Sequence, residues 1–209
     1  MGAMPTTERG RQTRQRIVAA AVEAVAEHGA LGASLDEVGE RAQASRSQLY
    51  HYFDDKSDLL RAVAEATNDA VIGAQQGLFV NLDTWDGLVR WTDALVALQE
   101  ERGAAGGCPI ANLLGQIGER DEEIRGVLAT GFDRWESAIR AGLQGMADSG
   151  ELRPTADVNW LAASTLASLQ GGLVLAQARR DPAALRAALD GALVLIASHH
   201  TEIDAVTVR

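Results

Sequence analysis

The sequence holds one cysteine, one lysine, no strand signals and no run of about 18 or more apolar residues. Each absence removes a class of protein. With Cys108 alone there is no internal disulfide, as suits a reducing cytoplasm. Without a long apolar run no spanning helix is expected, and nothing near the start resembles a signal peptide. A cytoplasmic chain with no membrane partner is the expectation. No phosphate loop and no carboxylate–histidine spacing points to an enzyme. Cys108 could pair with His199 or His200 as thiol and imidazole only if distant segments met, and the sequence gives no reason for that. Adjacent helical positions point apart, so His199 and His200 make no metal site, and no cofactor is expected.

Helical patterning fills what remains. Hydrophobic residues make up 46% and charged residues 23% of the chain, an ordinary globular balance. Ile17, Ala21, Ala24, Val25 and His28 mark one face of a first helix that should stop at Gly29. Ser34 with Glu37 reads as a capping box ahead of Leu35, Val38 and Ala42, and Ser45 with Gln48 as another ahead of Leu49 and Phe53. Longer amphipathic helices are expected over about 58–79, 84–102, 121–146 and 156–180, with a last one from Pro182. Gly103, Gly106 and Gly107 should break the chain before Pro109 restarts a helix, and Glu119 to Asp121 reads as a solvated break. Met1 to Met4 look like an expression-vector remnant and are set aside.

The net charge of -10 is unevenly spread. Residues 1 to 60 carry seven Lys+Arg against nine Asp+Glu, a net of -2, so most of the acidity lies later. Within this first part Arg9, Arg11, Arg14 and Arg16 cluster, and they could follow a nucleic-acid backbone, enter a minor groove or form a solvated tail.

Residues 45 to 60, SRSQLYHYFDDKSDLL, are the most informative stretch. If Leu49 and Phe53 face inward, Arg46, Ser47, Gln48, Tyr50 and His51 spread over the outward side of a short helix, and such donor-rich side chains fit a DNA groove. Lys56 falls in the first turn of the next helix, where the macrodipole disfavours a cation unless an anion is bound there too. With the helices before it, this makes a three-helix unit ending in helix-turn-helix.

Taken together, the RIVAAAVEAVAEHG, LDEVGERA and SRSQLYHYFDDKSDLL segments, with Leu49-Tyr50, Phe53, Lys56 and Leu59 in order, resemble the DNA-binding domain of the TetR (TetR/AcrR) family of bacterial transcriptional regulators. Ser47 departs from the glycine common there, as Val38-Gly39 departs from isoleucine-alanine. The resemblance implies an all-α chain: a tail over 1–8, a helix-turn-helix domain over 9–57, and an effector-binding and dimerisation domain over 58–209. It implies that Arg46, Ser47 and Gln48 face base edges and that Ser34, Tyr50, Tyr52 and Lys56 contact the phosphate backbone. It further implies a repressor that binds a palindromic double-stranded DNA operator as a homodimer and is released by a small molecule. Large apolar side chains on helices that should surround one space suggest a pocket for a largely apolar effector: Trp91, Leu95, Leu113, Ile117, Phe132, Trp135 and Leu169, with Cys108 nearby. Cys108 ahead of Pro109 would sit at a helix N-terminus, where a thiol's pKa falls, so a redox or electrophile sensor on the same scaffold is the alternative. A ligand-binding helical protein without DNA binding is a third. Leu166, Leu169, Leu173, Leu175, Leu185, Leu189, Leu193 and Leu195 exceed what one face needs, and with Gly171 and Gly172 they mark the last two helices as the dimer surface.

Overall fold

The computed structural model describes residues 5–202; Met1 to Met4 lie outside them. Among the described residues the chain forms ten α-helices and one π-helical turn, with a single isolated bridge, Leu152 to His200, in place of any strand. The fold is all-α, as expected. By contacts it divides into two compact units, one ending at Val71 but including Ile110–Gly131, the other made of Ile72–Pro109 and the chain from Phe132 onward.

The first unit begins with α1, Glu8–Gly32, whose N-cap Thr7 accepts a hydrogen bond from Gly10 N. Arg9, Arg11, Arg14 and Arg16 therefore lie on a helix and not on a tail. Arg11 pairs with Glu8, and the Arg14 guanidinium lies 5.1 Å from the centre of the Phe53 ring. Ile17, Val18, Ala20, Ala21 and Ala24 form the buried face, whereas His28 is exposed. The helix breaks at Gly29, but one more turn follows through Gly32. Gly29 has φ 73° and ψ 164°, a conformation essentially restricted to glycine.

α2, Leu35–Ala42, is capped by Ser34, whose hydroxyl accepts from Glu37 N at 3.1 Å. The return half of the expected box is not seen, because the Glu37 carboxylate turns to Arg41 and His28. Gln43 in the left-handed conformation starts the short link to α3, Arg46–Tyr52, where the Ser45–Gln48 box is complete. α4, Lys56–Gly73, follows, its Asp55 accepting from Asp58 N at 2.8 Å.

This unit does not follow the 57/58 boundary implied by the resemblance, because side chains tie the later stretch to the early helices. Gln116 Oε1 accepts from Ala30 N at 2.6 Å, Ser57 donates to Asp121, and Asn68 Nδ2 donates to the Val127 carbonyl at 2.7 Å. That stretch holds most of α7, Pro109–Leu113, the π turn Leu114–Gly118 and the start of α8, Glu122–Ser149. Asp121 is no mere solvated break: it caps α8 by accepting from Ile124 N at 3.0 Å.

In the second unit the helix expected over 58–79 has already ended at Gly73, and Gln76–Phe79 forms a separate α5. Gln75 between them is buried and accepts from Trp91 Nε1 at 3.0 Å, which fixes the turn. α6, Trp85–Glu101, is capped by Thr84 and buries Leu88, Trp91, Leu95 and Val96, while Leu98 is exposed. Beyond α6, Gly103, Ala104, Gly106 and Gly107 all have positive φ, so the expected break is a run of left-handed residues.

α9, Val158–Arg179, and α10, Ala183–Ala197, pack on each other. Here the leucine reading needs correction. Leu166, Leu169, Leu173, Leu185, Leu189 and Leu193 are buried within the single chain, and only Leu175 and Leu195 keep partial exposure. Burying side chains of this size stabilises the pair by roughly 1.5–3 kcal/mol each. Gly172 lets α10 approach, since a Cβ there would lie 2.9 Å from Ala188 Cβ, while Gly171 faces open space. By length and composition alone α9 is also apolar enough to cross a membrane, with 44% of that window buried inside the protein; one such helix is weak evidence for a membrane span.

Candidate DNA-reading surface

Leu49 and Phe53 anchor α3 from below and leave its outer face free. Arg46, Ser47, Gln48 and His51 are exposed, and Tyr50 retains 47% of its surface. The Arg46 guanidinium lies 5.8 Å from the centre of the Tyr50 ring, and hydrogen bonding to Tyr50 holds its pKa above the usual arginine value. Two donors are thus held together on the outer face. Ser47 Oγ lies 2.9 Å from Ser45 Oγ. Gln48 Oε1 accepts from Ser45 N at 2.8 Å, so its carbonyl serves the cap while its NH2 can still donate. A capped, rigid helix end presents these groups at low conformational cost.

The four residues assigned to the phosphate backbone differ more. Tyr50 is open. Tyr52 is half-buried, edge-on to His51 with ring centres 4.8 Å apart. Ser34 already serves as the cap of α2. Lys56 Nζ donates to the Leu31 carbonyl at 2.9 Å, near the end of α1. The dipole conflict at Lys56 therefore has an internal answer: Asp55 and Asp58 stand at the same helix end, and the lysine reaches back to a helix C-terminus that attracts cations. A phosphate at Ser34 or Lys56 has to share a group already engaged.

Charge around this face is organised in two places. Arg41 forks between Glu27 and Glu37, each at 2.6 Å, with His28 Nε2 3.1 Å from Glu37; the hydrogen bond from Arg41 lowers the Glu27 pKa. The ligand atoms of Glu27, His28 and Glu37 lie within 4.8 Å of one another, but Arg41 occupies both carboxylates, which makes this an ion-pair clasp between α1 and α2. An open hollow of about 320 Å³ lies at the start of α4, where Asp54, Asp55, Asp58, Asp121 and Glu123 surround Arg61. Its sign repels phosphate.

The pocket candidates are distributed over both units: Leu113 and Ile117 in the first, Trp91, Leu95, Cys108, Phe132, Trp135 and Leu169 in the second. All are buried except the half-buried Phe132. Trp135 Nε1 and both amide atoms of Gln170 are buried without a hydrogen-bond partner, an unusual state for polar groups. Cys108 does precede α7, but it is only 4% exposed, the setting of a small apolar residue more than of a reactive thiol. Sequence reasoning passed over Gln116 and Asn68, which carry no local signal, and Asp121, whose position three residues before Ile124 is a legible cap.

Residues 85–192 match the family described as "Tetracyclin repressor-like, C-terminal domain", and residues 17–63 match "Bacterial regulatory proteins, tetR family". The chain belongs to the TetR family. It is a DNA-binding transcriptional regulator of the helix-turn-helix type, and Ser34 to Phe53 fall within the matched N-terminal domain. Among its relatives are uncharacterized HTH-type transcriptional regulators from Mycobacterium tuberculosis, 27% identical over 177 residues covering 80% of this chain and 86% of that one, and from Lactococcus lactis, 25% identical over 177 residues covering 82% and 86%. Among solved structures, a TetR-family transcriptional regulator from Cytophaga hutchinsonii superposes with a TM-score of 0.77 at 19% identity, covering 95% of this TetR-family chain and all of that one; one from Rhodobacter sphaeroides gives 0.72 at 21%, covering 87% and 97%. At these identities the superpositions speak for the fold.

Proposed function

We propose that this regulator is a cytoplasmic repressor which binds a palindromic operator as a homodimer and is released by a small, largely apolar molecule. The exposed face of α3 carries the reading: Arg46, Ser47 and Gln48 address base edges in the major groove, and Tyr50, Tyr52, Lys56 and Ser34 seat the head on phosphates. The functional division is a reading head over 9–57 and an effector and dimer region over 58–209.

Support for the dimer comes from an apolar stripe on the last two helices. Trp160, Val174, Leu175 and Val194 keep 51%, 56%, 45% and 39% of their surface, and Gly171 and Gly191 face open space beside them. Apolar exposure of this kind on paired helices suits a second copy, and a two-fold mate sets the spacing of the reading helices. For the effector, the buried interior of the second unit offers Trp91, Leu95, Trp135 and Leu169, and Trp135 Nε1 and the Gln170 amide supply hydrogen bonds that a ligand's polar group can use.

Selection of bound duplexes from a random library, at near-physiological salt and beside Tyr50→Ala, tests this reading. An enriched palindrome that the Tyr50→Ala protein fails to select is expected. No enrichment with folded, dimeric protein overturns it.

A further inference from the structure

The turn between α1 and α2 is held from outside itself. Gly29 breaks α1, and the N–H of Ala30 then opens a new helical turn. The residue before Ala30 is a glycine, so the local sequence has no side chain to cap it. Gln116 takes that place from 86 residues away: its Oε1 accepts from Ala30 N at 2.6 Å, and Ala30 is fully buried. The next residue but one to Gly29, Leu31, gives its carbonyl to Lys56. Two peptide groups of one turn are thus gripped by two side chains from other elements. Ser34, three residues on, caps α2.

Gln116 sits in the middle of the π turn, and such wide turns are frequently found at functional sites. The stretch that carries it joins residues of the second unit at both ends, through Pro109 and Phe132. Gly29 cannot be replaced without disturbing this fit, since a Cβ there would lie 2.9 Å from Gln116 Oε1.

We propose that Gln116 is a positioning residue for operator binding: by capping the broken end of α1 at Ala30 it fixes the turn that orients α2 and α3, and its release is the step by which the 110–131 stretch weakens DNA binding. This rests on the reading of α3 as the DNA-reading helix. It adds a contact through which that helix is regulated. The bond is specific in chemistry, because it needs an acceptor and not bulk. Glutamate can supply a strong one, whereas methionine of similar length offers only a weak thioether acceptor. Gln116 is itself exposed, so either substitution leaves the core intact.

The test uses the full-length protein and the duplex enriched in the selection above. Gln116→Met is expected to raise Kd for that duplex about tenfold, within the usual range of site-to-site coupling, and to speed amide exchange at Ala30. Gln116→Glu is expected to restore both, with the thermal midpoints of the two variants alike. Binding by Gln116→Met equal to wild type overturns the proposal while leaving α3 as the reading helix. Equal losses in both variants also overturn it, since packing rather than an acceptor would then be at work. Wild-type protein that enriches no duplex overturns the DNA reading and the proposal with it.

Discussion

The two units of this chain are held together by different means. In the first, side chains far apart in sequence meet through polar groups: Arg41 with Glu27, Lys56 with Leu31, Gln116 with Ala30, Ser57 with Asp121 and Asn68 with Val127. In the second, segments approach where side chains are missing. Gly142 lies against Leu82, Gly145 against Asp83, Gly172 against Leu185 and Ala188, and Gly107 against Gln177. Polar ties fix angles, which suits a head that must match a groove. Close approach at a missing side chain fixes spacing and leaves little room for added volume.

The largest expected break in this comparison is at Gly142. A Cβ there meets the Leu82 backbone, so Gly142→Ala is expected to destabilise the protein by about 1–3 kcal/mol. Gly126, in the part of α8 that belongs to the first unit, has no neighbour within 4 Å, and Gly126→Ala should stabilise by about 0.5–1 kcal/mol through helix propensity. Thermal melts of both decide it; a neutral Gly142→Ala would show that packing in the second unit is looser than described.

Arg46 and Lys56 sharpen the contrast within the first unit. Arg46→Ala is expected to cost about 1–3 kcal/mol of specific binding and relax base preference without changing the melting point. Lys56→Ala should lower the melting point through loss of the Leu31 contact. If Lys56 also reaches a phosphate, the salt slope of binding flattens by about one, at every duplex alike. An unchanged slope assigns Lys56 to the α1 end alone, and unchanged base preference removes Arg46 from the reading set.

The smallest effect is expected from acid. Hydrogen bonds from Arg41 to Glu27 and from Ser57 to Asp121 lower both carboxyl pKa values. Groups with depressed pKa values stabilise the fold at pH above their ordinary values of 4.5 and 3.8, and that contribution disappears as pH falls through the lowered ones. Both tyrosines lie in the first unit and all four tryptophans in the second, so tyrosine near-ultraviolet dichroism reports this loss. Arg41→Gln should flatten it; an unaltered pH dependence would remove Glu27 from the account.

The reading head was legible because its signals are local. Ser45, Gln48, Leu49 and Phe53 state a cap and an anchored face within nine residues, and the structure has both. The long helices were legible from periodicity, with ends off by a few residues. What escaped were partnerships. The spacing of Ser34 and Glu37 suggests a reciprocal cap, yet Arg41 and His28 compete for the Glu37 carboxylate. The buried leucines of α9 and α10 read equally well as a partner surface because periodicity cannot tell an inner face from an outer one; the exposed stripe at Trp160, Val174, Leu175 and Val194 is thinner. Gln116 has no signature at all, since its meaning depends on a helix break far away along the chain.

Lys56 has one more consequence. Because it supplies the only ε-amine of the chain, amine-directed chemistry addresses a single side chain, at the junction of α1 and α4. Reductive methylation with isotope-labelled formaldehyde would place one resonant reporter beside the Leu31 carbonyl. The rate of that reaction then clocks how often the lysine lets go of α1.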